Sequence, residues 1–301
     1  MTKRKSSKPD VYTRITNQIT AALEKGTKPW MQPWNAAHAA GAVSRPLRFN
    51  GQPYSGINIL SLWASAMGHG FAAPIWMTFK QAIELGGCVR KGEKGSPVVY
   101  ANTLLRTETD PETGEDQDQA IPFLKAYTVF NVDQIEGLPD HFYALAEGET
   151  NPDQRIETAE AFFAATGADI RHGGDSACYI PSIDRIQMPS FEAFRDAESY
   201  YATLAHEMTH WTRHASRLNR DFGRERFGDA GYAQEELVAE LGAAFLCADL
   251  QITLSEREDY ASYIASWLKV LRNDTRAVFT AAAHAERAAE YLRNAAKAAL
   301  S

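Results

Sequence analysis

The order of apolar and polar residues divides the chain into a mixed first half and a helical second half. Tyr12, Ile15, Ile19, Ala22 and Leu23 recur with a helical period, and Gly26 closes that helix. Turn chemistry at residues 50–56 leads into a helix over about 57–67. Residues 76–82 begin another, with Thr78 as N-cap and Gly86-Gly87 as its stop. Residues 97–105 and 123–131 alternate as two strands around an acidic loop at 110–118. The second half opens with a helix over 156–166 and strand-like runs at 176–180 and 185–188. Four helices follow: one capped near Ser199, then 232–250, 255–273 and 276–300. This pattern predicts an α+β fold. A basic arm over 1–10 precedes a small α+β domain over 11–145, a polar linker over 146–155, and a mainly helical domain with a small sheet over 156–301.

Composition narrows the class. With 301 residues, 45% of them apolar, the chain can bury one large core or two ordinary ones. It has no run of 18 apolar residues, and its basic N-terminus lacks the apolar stretch of a signal peptide. Neither a disulfide framework nor a Cys-x-x-Cys pair can be drawn from Cys88, Cys178 and Cys247, so the chain reads as reduced and cytoplasmic, with no membrane partner. The net charge of −7 is unevenly divided: residues 1–145 carry 15 Lys/Arg and 13 Asp/Glu, and the remainder 16 and 25. Six of the first-half acids lie between Glu108 and Asp118, so the rest of that half is basic and suited to a polyanion.

Residues 200–210 read Tyr-Tyr-Ala-Thr-Leu-Ala-His-Glu-Met-Thr-His. Histidines four apart on a helix lie about 6 Å apart along its axis and about 40° apart around it. His206 and His210 can therefore share one ion, while Glu207 reaches a water at that ion. This is the H-E-x-x-H pattern of zinc hydrolases, with Glu207 as general base. His214 continues the spacing, but about 12 Å along the axis from His206 it is a helix-end cation. Glu235, Glu236 and Glu240 are the downstream acids. A glutamate on a second helix, with an acid four residues later, resembles the arrangement of glutamate-type zincins. By that analogy Glu236 is the third ligand and Glu240 holds a ligand histidine by its other nitrogen. Glu240 in Glu236's place is the rival assignment, and Glu235, about 100° away on the wheel, is expected in solvent. The cofactor expected is Zn2+, with Mn2+ as the alternative. Tyr232, Tyr260, Tyr263 and His284 are the candidates for stabilising an oxyanion, and residues 186–188 for the edge strand on which an extended peptide lies. An ordinary amphipathic helix with surface His and Glu is the plainer reading, but it leaves the acids on the otherwise apolar next helix unexplained.

Single-stranded nucleic acid is bound by aromatic faces beside a cationic groove. The first half offers Trp30, Trp34 and Tyr54 with Lys28, Arg48, Lys80, Arg90, Lys91, Lys94 and Lys125 as DNA contacts. Trp63, Trp76, Phe79, Tyr100, Tyr127 and Phe130 belong to the same set of aromatics, most of which are expected in the core. The turn at 90–95 has two glycines that let backbone N–H groups approach phosphates; a solvated hairpin tip is its plain alternative.

Residues 50–58 (Asn-Gly-Gln-Pro-Tyr-Ser-Gly-Ile-Asn), 76–82, 86–95 and 126–138, then 206–212, Arg217-Leu218 and 235–245, occur in an order that resembles the ArdC-type antirestriction proteins of conjugative plasmids over nearly the whole chain. The resemblance implies an N-terminal domain binding single-stranded DNA and a C-terminal zincin-like metallopeptidase domain. It also implies protection of incoming plasmid DNA from host restriction. Plasmid primases share a similar N-terminal domain but add a polymerising domain, which leaves an accessory role in plasmid replication or priming as an alternative. Two further readings divide the chemistry: an enzyme that cleaves a host restriction or defence protein, and a DNA-binding shield whose metal site is structural. Glu207 favours the enzyme, because a structural site needs no general base. A zinc hydrolase with no nucleic-acid role stands third.

Overall fold

The computed structural model describes residues 10–31, 44–109, 116–143, 152–223, 229–252, 254 and 260–300. Its first half comprises α1 (Val11–Glu24), β1 (Leu47–Arg48), α2 (Ile57–His69), β2 (Ile75–Thr78), α3 (Phe79–Glu84), β3 (Cys88–Val89), β4 (Ser96–Thr109), β5 (Asp116–Asn131) and β6 (Ile135–Glu136). Its second half comprises α4 (Pro152–Ala165), β7 (Asp169–His172), β8 (Cys178–Ile180), β9 (Arg185–Met188), α5 (Ala197–Trp211), α6 (Ala230–Leu250), α7 (Tyr260–Asn273) and α8 (Ala277–Leu300). The class is α+β, as the pattern predicts.

The first sheet runs β1-β2-β5-β4, with β1 parallel to β2 and the other pairs antiparallel. Trp76 and Met77, expected at a helix start, are buried in β2 between two neighbours. The helix begins only after Thr78, whose side chain caps Gln81 N–H while the Gln81 side chain returns to Thr78 N–H. The β4–β5 hairpin also outruns the alternation that predicts it, pairing from Ser96↔Val129 to Thr109↔Asp116. β4 is an edge strand, a position open to pairing with other chains. Helix α2 covers it: Asn58 bonds the Val99 N–H at 2.7 Å and its carbonyl at 2.9 Å, and Ser61 donates to the Pro97 carbonyl at 2.7 Å.

β3 and β6 form a two-stranded sheet, and the sheet of the second half runs β7-β9-β8. β7 is too short and too polar for alternation to reveal, and it pairs in parallel with β9. Residues 186–188 are therefore central, which corrects the edge-strand expectation. Both β8 and β9 pack on the motif helix, and from β8, at the sheet's edge, the Tyr179 N–H donates to the Glu207 carboxylate at 2.9 Å. Helix α5 starts before Ser199, because the Asp196 side chain caps it by accepting from the Ser199 N–H at 2.7 Å.

One hydrophobic core runs through both halves. Helix α1 packs on α7, and both α2 and α6 pack on α8, whose buried alanines allow close approach. Trp30 meets Trp267 edge-on at 6.0 Å, and Trp63 meets Phe245 at 6.1 Å. Burying each such side chain contributes roughly 1.5–3 kcal/mol. A smaller core gathers Met77, Ala82, Val132, Ile135, Leu138 and Phe142 under the first sheet. An ion cluster closes the seam: Arg45 donates to Glu286 and Asp249 at 3.0 Å, Arg293 binds the same two acids, and Glu286 accepts from the Gly56 N–H that opens α2.

Candidate metal centre and nucleic-acid cleft

Helices α5 and α6 cross in close contact, because Gly242 faces Thr209; a Cβ on Gly242 would stand 2.5 Å from the Thr209 methyl. That crossing lays the first turns of α6 across the histidines of α5. His206 Nε2 lies 3.5 Å and His210 Nε2 3.6 Å from the Glu236 carboxylate, and the two imidazole nitrogens are 3.2 Å apart. One ligand atom from each of His206, His210 and Glu236 falls within 4.8 Å of the others. Two imidazoles and a carboxylate form a donor set that suits a divalent transition-metal ion, so the residues fit the cofactor that the motif calls for.

Glu235, expected in solvent, is the acid that holds a motif histidine, the role expected of Glu240. Glu235 is 4% exposed and accepts from His210 Nδ1 at 3.0 Å. It also receives two 2.8 Å bonds from Arg220, which bonds onward to the Thr212 hydroxyl and the Thr209 carbonyl. Nearly the whole circumference of α6 is buried, so an offset of 100° on the wheel does not lead to water. Glu240 is buried one turn further on, and among the described residues no hydrogen bond joins it to either histidine.

The electrostatics select positive charge. Burial opposes ionisation of Glu235, but Arg220 and His210 hold its pKa at about 2. Burial likewise opposes charge on Glu236, which the two histidines bring to about 2. Burial disfavours a charged His210, yet Glu235, Glu236 and Glu207 together raise its pKa above the ordinary value. A site that draws a proton onto a buried histidine in this way draws a metal ion by the same field. The Cys178 thiol beside it is pushed up by burial and by Glu207, so it is no thiolate nucleophile.

These groups line a cavity of about 260 Å3 with Cys178, Tyr179, Arg213, Tyr232 and Tyr263. The Tyr232 and Tyr263 hydroxyls bond each other at 2.9 Å, and burial and that bond keep Tyr232 a phenol. Of the other oxyanion candidates, His284 stacks edge-on with Phe222 away from the cavity lining, and the Tyr260 side chain lies outside the described residues. His214 bonds Ser216 and is not among the grouped ligands.

The DNA candidates scatter. Lys28 and Trp30 are 7% and 1% exposed, buried where α1 meets α7, which removes them as contacts. Trp34 lies outside the described residues. Arg90 is exposed but bound by Glu93 at 2.9 Å, and Lys80 is paired with Glu84 at 3.4 Å. Gly95 is dictated by packing, since a Cβ there would strike the Thr128 methyl at 2.3 Å; Lys91 and Lys94 remain exposed on the turn. Arg48 and Tyr54 instead line a second cavity of about 310 Å3 on the first sheet, with Phe49, Trp76, Tyr100 and Tyr127. The register Val98↔Tyr127, Tyr100↔Lys125 and Asn102↔Phe123 puts those six residues on one face of the hairpin. Tyr100 and Tyr127 are 49% and 40% exposed, Lys125 sits 5.3 Å over the Tyr127 ring, and Arg48 5.4 Å over Tyr54. Phe49 and Phe123 are aromatics that the sequence reading does not name, and Tyr100 and Tyr127, expected in the core, are exposed. The clue was the i, i+2, i+4 spacing of Phe123, Lys125 and Tyr127 along a strand.

Comparison with known proteins agrees with both halves. Residues 9–130 match the family described as the N-terminal domain of anti-restriction factor ArdC, and residues 157–284 match the zincin-like metallopeptidase family. The y4eC protein of Sinorhizobium fredii is 46% identical over 289 residues, which cover 94% of this chain and 91% of that one. Escherichia coli DNA primase TraC is 38% identical over 300 residues, covering 95% of this chain but only 27% of the primase. The crystal structure of the antirestriction protein ArdC of plasmid R388 in its metal-free form superposes with a TM-score of 0.79 at 46% identity, covering 96% of this chain and 99% of that one. Its Mn(II)-bound form gives 0.78 at 43% identity, with coverage of 96% and 98%. This chain belongs to the ArdC family of antirestriction proteins.

Proposed function

We propose that this protein protects incoming plasmid DNA from host restriction by joining a single-stranded-DNA cleft to a metal-dependent peptidase site. The observation that carries the reading is the pair of histidines and Glu236 converging beside Glu207, with Glu235 and Arg220 fixing His210 from behind. His206, His210 and Glu236 would hold a divalent ion, either Zn2+ or the Mn2+ found in the R388 relative. Such an ion supplies Lewis acidity toward a water and a peptide carbonyl. Glu207 takes the proton from the attacking water and delivers it to the leaving amine. Tyr232, kept protonated, donates toward the oxygen on which negative charge develops. The substrate class is a host restriction or defence protein, the DNA is held by stacking on Tyr100, Tyr127 and Tyr54, and free cysteines fit a reducing cytoplasm. Among the described residues, no helix is long and apolar enough to cross a membrane.

One observation favours a second reading, a DNA-binding shield with a structural ion. The Tyr179 N–H occupies a Glu207 oxygen, so the general base is engaged at rest. Restriction of DNA in the presence of wild type and Glu207→Gln, both loaded with metal, separates the readings. The peptidase account predicts loss of protection by about 10²–10⁴-fold, the usual contribution of general acid–base catalysis, with DNA and metal binding intact. Full protection by Glu207→Gln would establish the shield. An accessory role in plasmid priming, suggested by the partial match to TraC, predicts protection by neither protein.

A further inference from the structure

Three arginines follow the second histidine, and two of them have an acid. Arg217 is bound by Asp184 and stacks on Trp211 at 3.8 Å, and Arg220 is held by Glu235. Arg213 differs. Among the described residues, no carboxylate lies within ion-pairing distance of its guanidinium, which makes no hydrogen bond. It is half-buried and lines the 260 Å3 cavity together with His206, Glu207, His210 and Glu236. It sits in the turn just past Thr212, the C-cap of α5, with its backbone N–H bonded to the His210 carbonyl at 2.9 Å, so its side chain starts beside those histidines. The C-terminus of α5 favours a cation at this position, but does not require one turned into the cavity.

A guanidinium that faces the cavity with no carboxylate beside it is available to a ligand, and its planar fork matches a carboxylate. The cavity wall is otherwise acidic, with Glu207, Glu235 and Glu236, so a polyphosphate strand would be repelled where a single carboxylate can be seated at Arg213. We infer that Arg213 is a specificity-determining residue that receives a carboxylate of the peptide substrate. That carboxylate comes from an Asp or Glu side chain near the scissile bond or from the peptide's own C-terminus. The inference rests on the peptidase reading above.

The test uses the metal-loaded full-length protein and three short peptide hydroxamates, which chelate the ion. One has a free C-terminal carboxylate, one a Glu side chain with an amidated end, and one is neutral. Their affinities are measured by calorimetry on wild type, Arg213→Met and Arg213→Glu, with thermal melts confirming that each variant is folded. Wild type should bind one carboxylate probe about tenfold more tightly than the neutral probe, about 1.4 kcal/mol. The ratio should fall to about one in Arg213→Met and invert in Arg213→Glu, and the probe that shows it identifies the source of the carboxylate. Equal affinity for all three probes in wild type, or a preference that survives Arg213→Met, overturns the inference and leaves the peptidase reading in place. Weaker binding of an oligonucleotide by Arg213→Met, with no change among the probes, also overturns it by assigning Arg213 to DNA. A protein that takes up no metal and binds no probe removes the peptidase reading and the inference together.

Discussion

The two sites are built on opposite principles. The candidate metal centre is buried, and the groups behind its second histidine are tied in a chain: His210 to Glu235, Glu235 to Arg220, and Arg220 to the Thr209 carbonyl. The cleft on the first sheet is open, lined by half-exposed rings with cations laid over them. A buried charged network is preorganised but brittle, because removing one member leaves another unpaired in low dielectric. A surface of stacking rings is tolerant, because each ring acts nearly alone and water replaces what is lost. Substitutions at the first site should therefore be severe and coupled, and at the second modest and additive.

The sharpest break of that contrast is at Arg220. Arg220→Met should destabilise the protein by about 3–5 kcal/mol, because it strands the Glu235 carboxylate; urea unfolding of the metal-free protein measures it. A loss below about 1 kcal/mol, the range of exposed ion pairs, would mean that the network is not the rigid frame described here. Next in size, Tyr127→Ala should weaken binding of a short single-stranded oligonucleotide by about 1–3 kcal/mol in an anisotropy titration. Its melting temperature and metal content should not change. The smallest effect belongs to the turn after β3. Replacing Lys91 and Lys94 by alanine should leave base preference alone and lower the salt slope of binding by about 0.7 per cation removed. A change in preference would place that turn against bases and not phosphates.

The same contrast governs what could be read from the residues in order. The His206–Glu207–His210 set is legible because helical geometry alone aligns it, whereas Glu236 comes from the likeness to glutamate-type zincins with Glu240 as its rival, and its place near the histidines depends on how α6 crosses α5. Glu235 is misread because a helical wheel knows one helix, and only the packing of α6 between α5 and α8 shows that both of its sides are dry. β9 is misread as an edge strand because its parallel partner β7 is invisible to alternation, and that partner moves β9 to the centre. Lys28 and Trp30 look like a DNA surface because cations beside aromatics suit either role; both are buried, Trp30 against Trp267 of the distant α7. The cleft depends on the register of a long hairpin and on β1 lying beside β2, relations between distant segments.

The central claim is that Glu236, and not Glu240, completes a metal site with the two histidines. Metal content per chain after loading with Zn2+ or Mn2+ and desalting tests it on wild type, Glu236→Ala and Glu240→Ala. The account predicts one ion in wild type and in Glu240→Ala, with an affinity loss of at least about 100-fold in Glu236→Ala, beyond the about 10–100-fold usual for an outer-shell group. Retention in Glu236→Ala with loss in Glu240→Ala, or no ion in wild type, would contradict it.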